Sequence, residues 1–150
     1  MLPTPVLIFT WGNPSRGDDA LGPVCHDKLL EYELDNVEIL TDFQLQIEHC
    51  TDLEKRELVL FIDASLSANA PFELKPLEAT RDQSYSSHAV SPQALMDICQ
   101  KVNTSDPPEC WLMEIRGYHF SLGQQLSPRA IENLDSALMK IKEFLKNKIP

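Results

Sequence analysis

Two uninterrupted apolar runs constrain this chain more than any other feature. "PVLIFTW" (5–11) is ended by Gly12-Asn13-Pro14, and "ELVLFIDA" (57–64) reaches an acid, Asp63, only after five apolar residues. Apolar, β-branched runs of this length fit strands buried on both faces, and such strands occur in parallel sheets covered by helices.

The segments between the runs have the helical period. After the first run, apolar residues recur at Leu21, Val24, Cys25, Leu29 and Tyr32, with Pro23 tolerated in the first turn. "VEILT" (37–41) reads as a further strand and "IEHCTDLEKR" (47–56) as a short helix with Ile47, Cys50 and Leu53 inward. "FELKPL" within the irregular stretch 67–90 fits an edge strand, where Pro76 does least harm. Ser91-Pro92 and Ser127-Pro128 each combine an N-cap with proline at the first helical position. They predict one helix through Ala94, Leu95, Ile98, Cys99 and Val102, and a terminal helix through Ile131, Leu134, Ala137, Leu138, Ile141, Phe144 and Leu145. "CWLMEIRGY" (110–118) is the strand between them. Strands alternating with helices predict an α/β fold, a mostly parallel sheet with helices on both faces, formed by residues 1–150 as a single domain.

Composition excludes some functions. The net charge of -10 repels phosphate backbones, so nucleic acid is not an expected partner. The N-terminal segment has no basic leader, and its apolar stretch of about seven residues is too short to span a membrane, which predicts a cytoplasmic protein. Cys25, Cys50, Cys99 and Cys110 are widely spaced with no CxxC, and are expected to be reduced, mostly buried thiols. No additional apolar stripe calls for a partner subunit, so a monomer is expected.

In a sheet of this kind ligands gather at the carboxyl ends of the strands. "GNPSRGDDALG" (12–22) has the glycine spacing of a phosphate loop, but acids follow it where Lys-Ser or Lys-Thr belongs, so nucleotide binding is disfavoured. Capping of the helix near Ala20 uses one of Asp18 and Asp19 and leaves the other over. Asp63 ends a neighbouring strand, where it either caps the short segment starting at Ala64-Ser65 or joins that acid around a cation. His88, in the loop before a helix start, completes two carboxylates and an imidazole, a set suited to a first-row divalent ion with open positions. His26 is expected on the outer side of the first helix, while His49 and His119 are not placed by the sequence. No GxSxG or activated cysteine is present, so a hydrolytic reaction would go through a metal.

"GNPSRGDDALG" resembles the GN-x-x-x-x-D-(D/E)-G-x-G signature of the hydrogenase maturation endopeptidases, which remove a C-terminal extension from the [NiFe]-hydrogenase large-subunit precursor. The resemblance continues in order through "DFQLQIEHCTDL", "VLFIDAS", "SSHAVSP" and the "LSP" of the last helix, nearly the whole chain. It implies a three-layer α/β/α sandwich of phosphorylase/hydrolase-like type with a five-stranded, mostly parallel sheet. It also implies a divalent metal site at Asp19, Asp63 and His88, with the second of the adjacent acids as the ligand. Ni2+ would be brought by the precursor, other divalent ions substituting in vitro. Ala20 stands where the signature has glycine, and "GYHFSLG" (117–123) lacks the Pro-x-(S/T) character common there. Two other readings stay open: a non-catalytic metal- or precursor-binding chaperone on the same fold, and an acidic α/β domain whose acids only cap helices.

Overall fold

A computed structural model describes residues 2–79 and 90–149. The two apolar runs form β1 (Val6–Trp11) and β3 (Leu58–Ser65), which pair in parallel at the centre of the sheet. β2 (Val37–Asp42) adds to the outer side of β1, and β5 (Glu109–Arg116) to that of β3, both parallel. β4 (Phe72–Leu77) closes the far edge antiparallel to β5, giving the order β2-β1-β3-β5-β4. Pro76 thus sits on an edge strand, as "FELKPL" predicts.

Helices cover both faces. α1 (Leu21–Leu30) and α4 (Pro128–Lys148) share one core with Ile8, Leu60, Ile62 and Met113. α2 (Cys50–Leu53) and α3 (Pro92–Val102) share the other with Phe9, Phe61 and Leu112. The mostly parallel α/β architecture expected from the sequence is therefore present. Both Ser-Pro starts cap their helices as expected: the Ser91 hydroxyl accepts the Ala94 N–H at 3.1 Å, and the Ser127 hydroxyl the Ala130 N–H at 3.2 Å. Gly22 allows α1 to lie against β1, because a Cβ there would stand 2.1 Å from the Trp11 carbonyl oxygen.

Several expectations need correction. The 47–56 helix is only a 3-10 turn, Ile47–His49, followed by the four residues of α2. Glu54 is extended and Lys55 has φ 64°, which stops the helix, and Ile47 is exposed rather than inward. Val102 and Ile131 are exposed rather than inward. Cys50 and Cys99 are not free thiols, because the packing of α2 beside α3 sets their Cα atoms 5.2 Å apart in a disulfide. Their separation of 49 residues hides that proximity from any local pattern. Cys25 and Cys110 are buried free thiols, both pushed up to about 12 by burial, Cys110 with a further contribution from Glu109. No helix among the described residues is long and apolar enough to cross a membrane.

Leu60 has no exposed surface at the centre of the sheet, whereas Met139 is 74% exposed on α4. Leu60→Ala is expected to lower the unfolding free energy by about 2–5 kcal/mol. Met139→Ala should change it by less than about 0.5 kcal/mol; denaturant titration of both variants checks the contrast.

Candidate functional site

The loop after β1 is built around two adjacent acids that do different work. Gly12 has φ 151°, and a Cβ on it would lie 2.1 Å from the Asp19 carbonyl oxygen, so the chain folds back tightly onto itself there. Residues Gly17–Ala20 then form a 3-10 turn leading into α1, with no side-chain cap on either segment. The expected capping role is therefore filled by neither acid. Ala20, with φ -69° and ψ -7°, is already helical, so alanine fits where the signature has glycine.

Asp18 is fully buried. Its carboxylate accepts the Tyr118 N–H at 2.7 Å, the Ser127 N–H at 2.7 Å and the Ser127 hydroxyl at 2.8 Å. Burial alone would raise this carboxyl, but those hydrogen bonds and the neighbouring His119 outweigh it and hold Asp18 below the usual carboxylate range. Asp18 thus ties the β1–α1 loop to the β5–α4 connection. His119 packs behind Gly17, with its Nδ1 buried and without a hydrogen-bond partner among the described residues.

Asp19 is half-buried, and its Oδ2 accepts the Asn13 N–H at 2.8 Å. Asp63, near the end of β3, is half-buried and is pushed up to about 7. Desolvation is the main cause, the Asp19 charge adds to it and Glu114 contributes, while the Ala64 N–H and the Trp11 side chain pull the other way. The structure thus brings Asp19 and Asp63 into electrostatic contact. His88 lies outside the described residues. Among the described residues no group of three His, Cys, Asp or Glu side chains is arranged to hold a metal.

Register places further groups beside Asp63 that sequence reading missed. Asp63 pairs with Glu114 on β5, Glu114 with Glu73 on β4, and Trp11 with Asp42 on β2. With alternation along each strand, these residues continue the face of Phe9, Phe61 and Leu112, so a row of four acids and one indole crosses the sheet near the strand ends. Lys75 lies 3.5 Å from Glu114. The only sequence signal is that each follows an apolar position by two. At the β2 end, His49 Nδ1 accepts the Gln46 N–H at 2.8 Å, which leaves the proton on Nε2 to be donated to Asp42 at 3.1 Å. His49 therefore braces Asp42, and His26 pairs with Asp27 on α1 at 2.9 Å, half-buried rather than outward. An open groove of about 230 Å³ beside this end is lined by Gly12, Pro14, Pro23, Thr41, Asp42 and Phe43.

The two acids should respond differently to substitution. Asp18→Asn places an amide N–H₂ against donors, and is expected to cost about 2–4 kcal/mol in stability, more than Asp19→Asn. The folded Asp63 carboxyl stays protonated to higher pH than in the unfolded chain, so its contribution to stability is full below pH about 4 and falls as pH rises toward about 7. Asp63→Asn should flatten that decline, gaining on the order of 1–3 kcal/mol over wild type between pH 5 and 8 in metal-free denaturation.

No family model matches the chain, and no curated protein sequence does. Solved structures do. A [NiFe] hydrogenase maturation protease, HycI from Thermococcus kodakarensis, superposes with a TM-score of 0.74 at 22% identity, covering 95% of this chain and 93% of the other. The hydrogenase maturating endopeptidase HybD from E. coli gives 0.74 at 19% identity over 96% and 93%. A hydrogenase 2 maturation peptidase from a Thaumarchaeota archaeon gives 0.66 at 23% identity over 93% and 97%. The chain is therefore built on the fold of the hydrogenase maturation proteases.

Proposed function

We propose that the protein is a metal-dependent endopeptidase that removes the C-terminal extension of a [NiFe]-hydrogenase large-subunit precursor. The observation that carries this reading is the pairing of Asp19 with Asp63 at adjacent strand ends, on a fold shared with proteins named as such proteases. A desolvated carboxyl pushed up to about 7 partly by a second carboxylate is a place where a cation lowers the energy. Two carboxylates so placed suit a divalent ion, and this reading takes Asp19, Asp63 and His88 as its holders.

In this reading nickel arrives as part of the substrate, and three protein donors leave positions for the precursor's own ligands, so a metal-loaded precursor docks and an empty one does not. A divalent ion there supplies Lewis-acid polarisation for peptide hydrolysis. The chain's own residues supply position and charge. The Asn13 N–H holds one oxygen of Asp19 and frees the other. Asp63 must give up its proton to engage a cation, so engagement strengthens as pH rises through about 7.

The test mixes purified protein with nickel-loaded precursor of the cognate large subunit and follows its C-terminal shortening by mass. Wild type is expected to cut, while Asp19→Asn, Asp63→Asn and His88→Ala fall to background with melting transitions that show folded protein. Nickel binding without cleavage of the cognate precursor would overturn the protease reading in favour of a maturation chaperone.

A further inference from the structure

β2 ends the sheet, and its outer edge pairs with no strand among the described residues. The Gly12 N–H donates to the Asp42 carbonyl at 3.1 Å, so Asp42 turns its backbone toward β1, and alternation turns the N–H and C=O of Ile39 and Thr41 outward. The opposite edge of the sheet is guarded, because β4 carries Pro76, which has no N–H, beside Lys75. β2 has neither proline nor lysine. We propose that the outer edge of β2 binds an extended peptide as an added antiparallel strand and, resting on the proteolytic reading, that this peptide is the precursor's C-terminal extension.

Direction follows from where the edge ends. The carboxyl end of β2 lies at the acid row, where Asp42 stands beside Trp11, so a chain leaving a cut there can follow the edge only toward Val37, antiparallel to β2. Three strand spacings of about 4.8 Å, roughly 14 Å in all, separate the added strand from β3, and about four extended residues cross that distance. Pairing with β2 therefore begins about four residues beyond the cut bond.

Register then selects a side chain. The peptide residue opposite Thr41 exchanges both backbone bonds with it, and its side chain falls on the same face as that of Thr41. This is the α1 face, because the Thr10 hydroxyl donates to the Thr41 hydroxyl at 2.8 Å and Thr10 alternates with Ile8 of the first core. The open groove lined by Pro14, Pro23, Thr41 and Phe43 lies there, and Phe43 is 65% exposed, so the side chain that fits is apolar. A second copy of the chain fits the edge less well. Pairing Ile39 of one copy with Thr41 of the other sets Glu38 opposite Asp42 twice, and each copy carries a net charge of -10.

The experiment adds to the full-length protein a synthetic peptide spanning the cut and the extension of the cognate precursor, and follows amide hydrogen exchange by NMR. The Ile39 and Thr41 amides are expected to slow about tenfold or more at saturation, while Leu40, whose backbone faces β1, is unchanged. N-methylation scanned along the peptide should abolish the slowing at alternate positions only. Thr41→Pro, which loses no bond to β1, should raise KM for the precursor about tenfold with kcat unchanged, and Phe43→Ala should weaken peptide binding about fivefold. The proposal is overturned if the peptide does not bind, if Ile39 and Thr41 exchange equally fast with and without it, or if methylation acts alike at neighbouring positions. It is also overturned if the same amides slow with rising protein concentration in the absence of peptide, which assigns the edge to a second copy. Cleavage of the precursor without slowing at these amides removes this inference alone, whereas slowing without cleavage keeps it and removes the proteolytic reading. Should Thr41→Pro fail to fold by circular dichroism, the methylation scan on wild type decides.

Discussion

The strand-end region depends on one buried carboxylate. Asp18 takes its three donors from residues 100 and 109 positions further along the chain, so a single charge closes a long loop over the carboxyl end of the sheet. A charge without exposed surface is tolerable only when its hydrogen-bonding capacity is used, and here both oxygens are occupied. Backbone bonds reinforce the closure: the Asp18 N–H donates to the His119 carbonyl at 2.8 Å and the Gly123 N–H to the Ser15 carbonyl at 2.7 Å. Surface loops are ordinarily the mobile part of such a fold, and this one is fastened at both ends.

Because Asp18 is committed to structure, its neighbour Asp19 is the acid of the pair whose charge acts on Asp63. The 3-10 turn sends the two side chains in different directions, one into the interior and one toward Asp63. Asp19 spends one oxygen on the Asn13 N–H, which orients it without neutralising it. Asp63 is then left with desolvation and a like charge nearby, a combination that concentrates at functional sites because structure alone gains nothing from it. The register row extends this imbalance: among the described residues Glu114 has a lysine 3.5 Å away and Asp42 is answered by a histidine.

What could be read from the sequence came from local physics. β1 and β3 are legible because burial on both faces requires continuous apolar residues, and the starts of α3 and α4 because a serine before a proline satisfies the first-turn donors. The edge strand with Pro76 is legible because a proline can be accommodated only where no ladder bond is lost. The proximity of Asp19 and Asp63 could be anticipated because the carboxyl ends of neighbouring parallel strands lie side by side. The partners of Asp18, the Cys50–Cys99 bond and the brace of His49 on Asp42 are tertiary facts, and no periodicity encodes them. The early end of α2 rests on a left-handed Lys55, a conformation that lysine does not announce.

Among the described residues the two faces of the sheet are covered unequally. The first core lies under α4, 21 residues long, and α1, 10 residues long, with α4 anchored by Asn133 to the Arg116 carbonyl and the Tyr118 hydroxyl, both at 3.0 Å. The second lies under α3, 11 residues long, and α2, with only four. Opening free energy scales with the apolar contact an element makes, so local opening on the second face costs less than on the first. The acids face the less heavily covered side, while the loop that positions Asp19 is fastened to the other through Asp18 and Ser127 at the start of α4.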